Sequence, residues 1–548
     1  MTSFAEKMAR PEILELTPYS SGYDDAALEN GIRLNANENP WRVGGDGFGD
    51  FNRYPPSQPE KLIARLSEIY GVGANNVLVS RGADEAIDLL VRAFCRPNQD
   101  AIAIAPPTFG SYATAARLQC ARIIEAPLTS DYTFDTKAFV VAVKAEKDLK
   151  IAFICSPMSP TGGAISKDEL ASMCEQLSEI IVAIDEAYIE FSALESMADK
   201  LSKLENLVIL RTLSKAYGLA GARCGAVLAS PDIIAVLQKT IAPYPMTTTS
   251  IDIAMRALSP VNKLIVDRNI RKVVEERERV AKALNGSHFV ARILPSETNF
   301  LFIETNDAPL LKKRLDESAI RVRWLKSRQG DAIRLTIGAP DENDLALAAF
   351  GVASERGRSR IGECFRETKE TNISVAIDLE SADPTAINTG IGYFDHMLEQ
   401  VARHGGFSLL LTCDGDLEVD THHTIEDCML AFGAALRDAL GDGRGMARFG
   451  AALPMDEARA EVLVDLSGRP FSKFSGDFHA PLLGEYPTEM TSHAFRSLSE
   501  ALRASIHVSV DGGNDHHKTE SCFKALGRAL RQATRIESNI IPSTKGVL

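Results

Sequence analysis

The 548-residue sequence has no excess of positive charge: 60 Lys and Arg stand against 74 Asp and Glu, a net charge of −14. No long basic run offsets that balance, which argues against a nucleic-acid partner. No apolar run reaches the length of a membrane span. The stretch Met1-Thr-Ser-Phe-Ala-Glu-Lys7 lacks the apolar core of a signal peptide. The nine cysteines are odd in number and scattered, with no C-x-x-C pair. Reduced thiols and a cytoplasmic protein are therefore expected. Low-complexity tracts are missing too. What is present is the composition of a soluble globular chain, 45% hydrophobic and 24% charged. Its length calls for two or three domains.

The strongest internal signal is a near-repeat in the last quarter. Asp420-Thr-His422-His423-Thr-Ile-Glu426-Asp-Cys428 returns as Asn514-Asp-His516-His517-Lys-Thr-Glu520-Ser-Cys522, an offset of 94 residues from His422 to His516. Both copies continue with a shared Gly-x-Ala-Leu-Arg-x-Ala pattern, starting at Gly433 and Gly527. Apolar residues at helical spacing predict a helix for each. On a helix, His422 and Glu426 share a face, while His423 points about 100° away. Each element can thus hold one metal with its i, i+4 pair and offer its second histidine to another. Upstream, His396 and His493 accompany the two copies, and Val375-Ala-Ile-Asp378 and Val462-Leu-Val-Asp465 read as matching strands. The region reads as a duplicated α+β unit with six histidines and two glutamates. Symmetry suggests one metal on His396, His423, His516 and Glu520, and another on His422, Glu426, His493 and His517. Imidazole with carboxylate suits a divalent ion such as manganese, iron or zinc.

Residues 1 to about 350 alternate apolar runs with helical ones, as at Val77, Ala101, Ile151, Ile180 and Leu207. That alternation predicts a buried, mainly parallel sheet. The polar stretch 353–360 reads as a linker. Within the first region, Thr212-Leu-Ser214-Lys215-Ala-Tyr-Gly218-Leu-Ala-Gly221-Ala-Arg223-Cys-Gly225 suits a Schiff-base lysine beside a phosphate site. Asp185-Glu-Ala-Tyr188 follows a buried strand, where a carboxylate calls for a cationic partner such as a protonated pyridine nitrogen. Gly82-Ala83-Asp84-Glu85 opens a helix whose first amides suit a phosphate. Phe109 could stack on a flat ring.

These residues resemble a fold-type I, pyridoxal-phosphate-dependent aminotransferase, with a mainly parallel large domain and a small α/β domain. The nearest family is histidinol-phosphate aminotransferase, matched from Leu34-Asn-Ala-Asn-Glu38-Asn-Pro40 through Arg53-Tyr54-Pro55 to Arg334-Leu-Thr-Ile-Gly338. The resemblance implies that Lys215 binds pyridoxal phosphate and shuttles a proton, that Asp185 holds the ring nitrogen, and that Tyr188 bonds the ring hydroxyl. It places Phe109 on the ring and Ala83, Asp84, Thr212, Ser214 and Arg223 at the cofactor phosphate, with Tyr54 reaching in from a partner subunit. Arg323 and Arg334 would anchor substrate. Ser159 stands where the family usually has asparagine, a shorter group for the cofactor's ring oxygen.

Residues 361–548 resemble imidazoleglycerol-phosphate dehydratase, in the two histidine motifs and in Arg366-Glu-Thr-Lys-Glu370, Asp465-Leu-Ser-Gly-Arg469-Pro, Phe523-Lys524 and Pro542-Ser543-Thr-Lys545. This implies two manganese ions bound by the eight side chains above, with Glu370 or Glu520 as base and His404 against the substrate. Arg448, Arg469, Lys524, Ser543 and Lys545 would take the substrate phosphate. The division expected is 1–352, aminotransferase; 353–360, linker; 361–548, dehydratase. Together the resemblances imply a bifunctional enzyme of histidine biosynthesis that uses imidazoleglycerol phosphate, imidazole acetol phosphate and glutamate. A homo-oligomer is implied, dimeric through the first domain and of higher order through the second. The alternatives are an aminotransferase of aromatic specificity, and a second domain that serves as a metal-dependent assembly module.

Overall fold

The computed structural model describes residues 2–18, 32, 34–42, 51–327, 330–352, 360–451, 454–538 and 540–543. The expected linker therefore lies outside the described residues except for Arg360. The chain divides into two compact units, one of Met1–Ser259 and Val266–Glu355, the other of Pro260–Ile265 and Arg356–Leu548.

In the first unit seven strands form the main sheet: β1 (Val77–Ser80), β2 (Ala101–Ile104), β3 (Arg122–Glu125), β4 (Leu149–Cys155), β5 (Ile181–Asp185), β6 (Leu207–Thr212) and β7 (Gly225–Ala229). Their order is β1-β7-β6-β5-β4-β2-β3. β7 runs antiparallel to both neighbours, whereas β6, β5, β4, β2 and β3 pair in parallel. Every residue of β1, β2, β5, β6 and β7 is buried. Apart from Ser80, Asp185, Arg211 and Thr212 at their carboxyl ends, these strands are apolar instead of alternating, because helices cover both faces of a parallel sheet. The arrangement sets the carboxyl ends of β4, β5 and β6 side by side, where doubly wound sheets place their ligands. A second, four-stranded antiparallel sheet carries Arg323 and Arg334 directly opposite each other.

The second unit shows the duplication in its hydrogen bonding. In the first half, strand Thr371–Asp378 pairs antiparallel with Ser408–Gly415, which takes Ala386–Asn388 in parallel on its other edge. In the second half, Ala458–Asp465 pairs antiparallel with Ser505–Asp511, which takes Phe471–Ser475 in parallel. Both histidine motifs are helical, at His422–Leu440 and Asp515–Ala533. Helices Gly392–Gly405 and Met490–Leu502 accompany them.

The glycine shared by both motifs has a packing cause. A Cβ on Gly433 would stand 2.9 Å from the Ala501 Cβ and 3.0 Å from the Leu498 carbonyl oxygen. One on Gly527 would stand 2.6 Å from the Val401 carbonyl oxygen and 3.0 Å from the Gly405 nitrogen. Backbone of the facing helix cannot retreat as a side-chain tip can. Alanine at either site should cost about 1–3 kcal/mol of overpacking, only partly offset by its better helix propensity of about 1 kcal/mol. Denaturation of the G433A and G527A variants should show a lower unfolding midpoint for this unit.

Candidate active sites

In the first unit a cavity opens at the ends of β4, β5 and β6. Ala83, Asp84, Phe109, Cys155, Ser159, Asp185, Ala187, Tyr188, Thr212, Ser214, Lys215, Ala220 and Arg223 line it. Asp185 ends β5, is buried, and accepts 2.7 Å from the Tyr112 hydroxyl and 3.1 Å from the Ala187 amide. Burial pushes its pKa up to about 6, against the pull of those two hydrogen bonds. Behind it, Glu186 is held by Arg211, whose guanidinium also pairs with Glu190 and lies over the Tyr70 ring. Lys215 has its pKa lowered by burial and next by the charge of Arg334, so its amine loses its proton more readily than a solvated lysine does.

One end of the cavity is built for an anion. Gly82 (φ +79°) precedes helix Ala83–Phe94 without any side-chain cap on its amides. A Cβ there would stand 2.6 Å from Arg223 Nη2. Arg223 donates to Ser214 Oγ at 3.2 Å and to Asp84 Oδ2 at 3.3 Å, and Thr212 Oγ1 donates to Ser214 Oγ at 3.0 Å. Free amides, two hydroxyls and a guanidinium fit a phosphate. A buried carboxylate of raised pKa at the other end fits a ring cation. The residues present thus fit pyridoxal phosphate.

Of the other expected residues, Ser159 lines the cavity, whereas Arg323 and Tyr54 do not. Ser159 is buried, and its hydroxyl accepts from Arg334 Nη1 at 3.1 Å. Arg323 is exposed on its strand. Tyr54 is outside the cavity lining and stacks on Tyr244 with ring centroids 4.4 Å apart. The sequence reading passed over Tyr112, which is fully buried, stacked on Phe153 at 5.0 Å and bonded to Asp185. Its position three residues after Phe109, as the second residue of the helix Ser111–Leu118, was the available signal.

Because burial works against the ionised Asp185, Asp185→Asn should raise the stability of the cofactor-free protein while weakening cofactor binding. The sign follows from the raised folded pKa. Stability is fully present below the unfolded value near 3.8 and is lost as pH rises through about 6. The gap between those two values corresponds to roughly 2–3 kcal/mol. Thermal unfolding of the two cofactor-free proteins should separate above pH 6 and converge near pH 4.

In the second unit the histidines gather in two groups. His493 Nε2 lies 2.7 Å and His422 Nε2 3.3 Å from Glu426 Oε2. The His422 and His493 rings are 4.8 Å apart. Likewise His516 Nε2 lies 3.4 Å from Glu520 Oε2, and His396 Nε2 3.9 Å from Glu520 Oε1. Each group is three of an expected set of four. His423 and His517, the remaining members, turn to other partners: His423 Nδ1 is 3.3 Å from Asp416 Oδ2, and His517 Nδ1 is 2.9 Å from Glu457 Oε2. In the Glu426 group two imidazole Nε2 atoms and a carboxylate oxygen converge as a ligand set for a divalent ion such as manganese, iron or zinc.

Glu520 is buried and also receives Lys524 Nζ at 2.8 Å. Burial pushes its pKa up, but Lys524, His396 and His516 outweigh that and hold it low. Glu370 occupies the turn before strand Thr371–Asp378, with a half-exposed carboxylate 3.8 Å from His423 Nδ1. Nearby, Arg366 and Thr371 clamp the buried Asp427, at 2.7 Å and 2.6 Å, and so tie that turn to the helix carrying Glu426. His404, at the end of Gly392–Gly405, has its pKa lowered by burial and then by Lys524 and Arg528. Of the phosphate candidates, Arg448 is engaged by Asp465 at 2.6 Å and donates to the Pro542 carbonyl at 2.9 Å, which brings it next to Ser543 in the chain. Arg469 is exposed. Lys545 lies outside the described residues. Among those residues no helix is long and apolar enough to cross a membrane.

Residues 30–350 match the family model for aminotransferase class I and II, and residues 389–530 match that for imidazoleglycerol-phosphate dehydratase. The chain belongs to the class I and II aminotransferases and carries a dehydratase domain behind them. Within that class, it is 40% identical over 348 residues to the histidinol-phosphate aminotransferase of Stenotrophomonas maltophilia, covering 63% of this chain and 95% of the relative. It is 38% identical over 350 residues to histidinol-phosphate aminotransferase 2 of Idiomarina loihiensis, covering 62% and 97%. Its first unit therefore belongs to the histidinol-phosphate aminotransferases, fused to an imidazoleglycerol-phosphate dehydratase. The fold agrees: a Sinorhizobium meliloti histidinol-phosphate aminotransferase in complex with pyridoxal-5'-phosphate superposes with a TM-score of 0.51 at 23% identity, covering 55% of this chain and 83% of that one.

Proposed function

We propose that the two domains, 1–352 and 361–548 with 353–360 between them, catalyse consecutive steps. The dehydratase converts imidazoleglycerol phosphate to imidazole acetol phosphate. The aminotransferase converts that ketone to histidinol phosphate, with glutamate as amino donor. The observation that carries this reading is the presence of both sites on one chain, since the ketone product of one family is the substrate of the other.

In the aminotransferase site, bound pyridoxal phosphate would supply an electron sink. Lys215 holds the cofactor and moves the proton, aided by the environment that lowers its pKa. Asp185 keeps the ring nitrogen positive, Tyr188 bonds the ring hydroxyl, and Phe109 covers one ring face. Ala83, Asp84, Thr212, Ser214 and Arg223 seat the phosphate. Arg334 and Arg323 bind substrate anions, and Ser159 ties Arg334 to the cavity wall. Tyr54 serves the partner subunit's cavity.

In the dehydratase site, Mn²⁺ held by the histidines and by Glu426 and Glu520 would supply Lewis-acid charge to the substrate imidazole. Each three-residue group is completed by a histidine of another copy, His517 for the Glu426 group and His423 for the Glu520 group. This makes a homo-oligomer part of the site. Glu370 takes the proton beside the ring, because Glu520 is already committed to its cationic neighbours. His404, Arg448, Arg469, Lys524, Ser543 and Lys545 hold the substrate. Glu370→Gln should lower the dehydration kcat by about 10²–10⁴-fold, the range of a lost general base. Undiminished kcat would move the role to another residue.

A further inference from the structure

The duplication pairs Glu370 with a residue to which the proposed reaction gives no role. Val375-Ala-Ile-Asp378 aligns with Val462-Leu-Val-Asp465, and on the same register Glu370 aligns with Glu457. Both glutamates stand one residue before the equivalent central strands, Thr371–Asp378 and Ala458–Asp465. Both face the second histidine of their own half, through the same ring nitrogen. Glu457 reaches His517 Nδ1 at 2.9 and 3.1 Å with its two oxygens, while Glu370 stays 3.8 Å from His423 Nδ1.

The difference between the halves has a local cause. In the first half the strand Ser408–Gly415 is followed by Asp416, whose carboxylate lies 3.3 Å from His423 Nδ1. In the second half the strand Ser505–Asp511 is followed by Gly512 and Gly513, which have no carboxylate to offer. Asp416 performs for His423 what Glu457 performs for His517.

The consequence is a matter of tautomers. A carboxylate only accepts, so an imidazole facing one through Nδ1 carries its proton there and leaves the Nε2 lone pair unprotonated. Nε2 is also the atom that His396, His422, His493 and His516 direct at the shared glutamates. At those four a bound metal would take the place of the proton shared with the glutamate, so all six histidines would offer it Nε2.

We propose that Glu457 is the duplicated counterpart of the base Glu370, diverted into a positioning residue that orients His517 as a metal ligand. Asp416 does the same for His423 and so leaves Glu370 for proton transfer. This rests on the ligand and base assignments above. The first half keeps two carboxylates and divides the tasks. In the second a glycine stands where Asp416 would be, and Glu457, with Asp456 beside it, takes the orienting task.

The test is manganese titration of the metal-stripped full-length protein, read as metal bound per chain against free Mn²⁺, with H517A and E370Q as references. Glu457→Gln and Asp416→Asn should each weaken one of the two ions by about 10–100-fold, as groups behind metal ligands do. E457D and D416E, which keep the charge, should recover most of the affinity and show that the fold survives. E370Q should bind both ions as the parent does. Parental binding by E457Q, where H517A loses one ion, would reduce the Glu457–His517 pair to a surface contact and overturn the proposal. Loss in E457Q as complete as in H517A, unrelieved in E457D, would make Glu457 itself a ligand and overturn it as well. If H517A keeps both ions, the ligand assignment fails first, and the orienting role falls with it.

Discussion

Lys215→Ala should abolish transamination, lowering kcat by about 10⁴-fold or more, while dehydration continues at the parental rate. The size follows from two losses in one substitution. The alanine chain can neither hold the cofactor covalently nor move the proton, and proton transfer by a placed side chain is alone worth about 10²–10⁴-fold. No other amine is among the residues that line the cavity. Steady-state assays of both half-activities on one preparation give the answer. A parallel fall in dehydration would mean that the variant had damaged the chain as a whole.

The second large effect concerns metal. Glu426→Gln puts a neutral amide in place of the carboxylate whose Oε2 both His422 and His493 approach, at 3.3 and 2.7 Å. An amide brings no charge and offers an N–H where an acceptor is required. Manganese affinity at that group should fall by more than about 100-fold, beyond the loss typical of a group behind a ligand. Dehydration should fall with it, and transamination should not. Chelation of the parent protein should reproduce the loss of dehydration, and added Mn²⁺ should restore the parent but not E426Q at the same concentration. Full dehydration in chelated protein would remove the metal from the reaction.

What the sequence revealed depended on how local each feature was. The Glu426 and Glu520 groups were legible because their core is an i, i+4 pair, fixed by helix geometry wherever the helix lies. Lys215, Asp185 and the Gly82 turn were legible because each abuts a buried apolar strand, and a parallel sheet gathers such strand ends at one edge. Tyr112 was not, since a tyrosine in the first turn of a helix reads as core until Asp185 is known to face it. The Ser159–Arg334 contact joins residues far apart in sequence and has no local pattern. Glu457 lay between the two. Its register with Glu370 was present in the matching strands, but a lone glutamate in a turn draws attention only when a histidine nitrogen is found 2.9 Å away.

The claim that the chain runs two consecutive reactions meets its most direct test in one vessel. Purified protein with pyridoxal phosphate and Mn²⁺ is given imidazoleglycerol phosphate and glutamate, and the products are identified by mass. Histidinol phosphate is the predicted product, with imidazole acetol phosphate accumulating when glutamate is omitted. Unchanged imidazoleglycerol phosphate, in a protein that binds its two manganese ions, would contradict the account and leave the second domain as a metal-dependent assembly module.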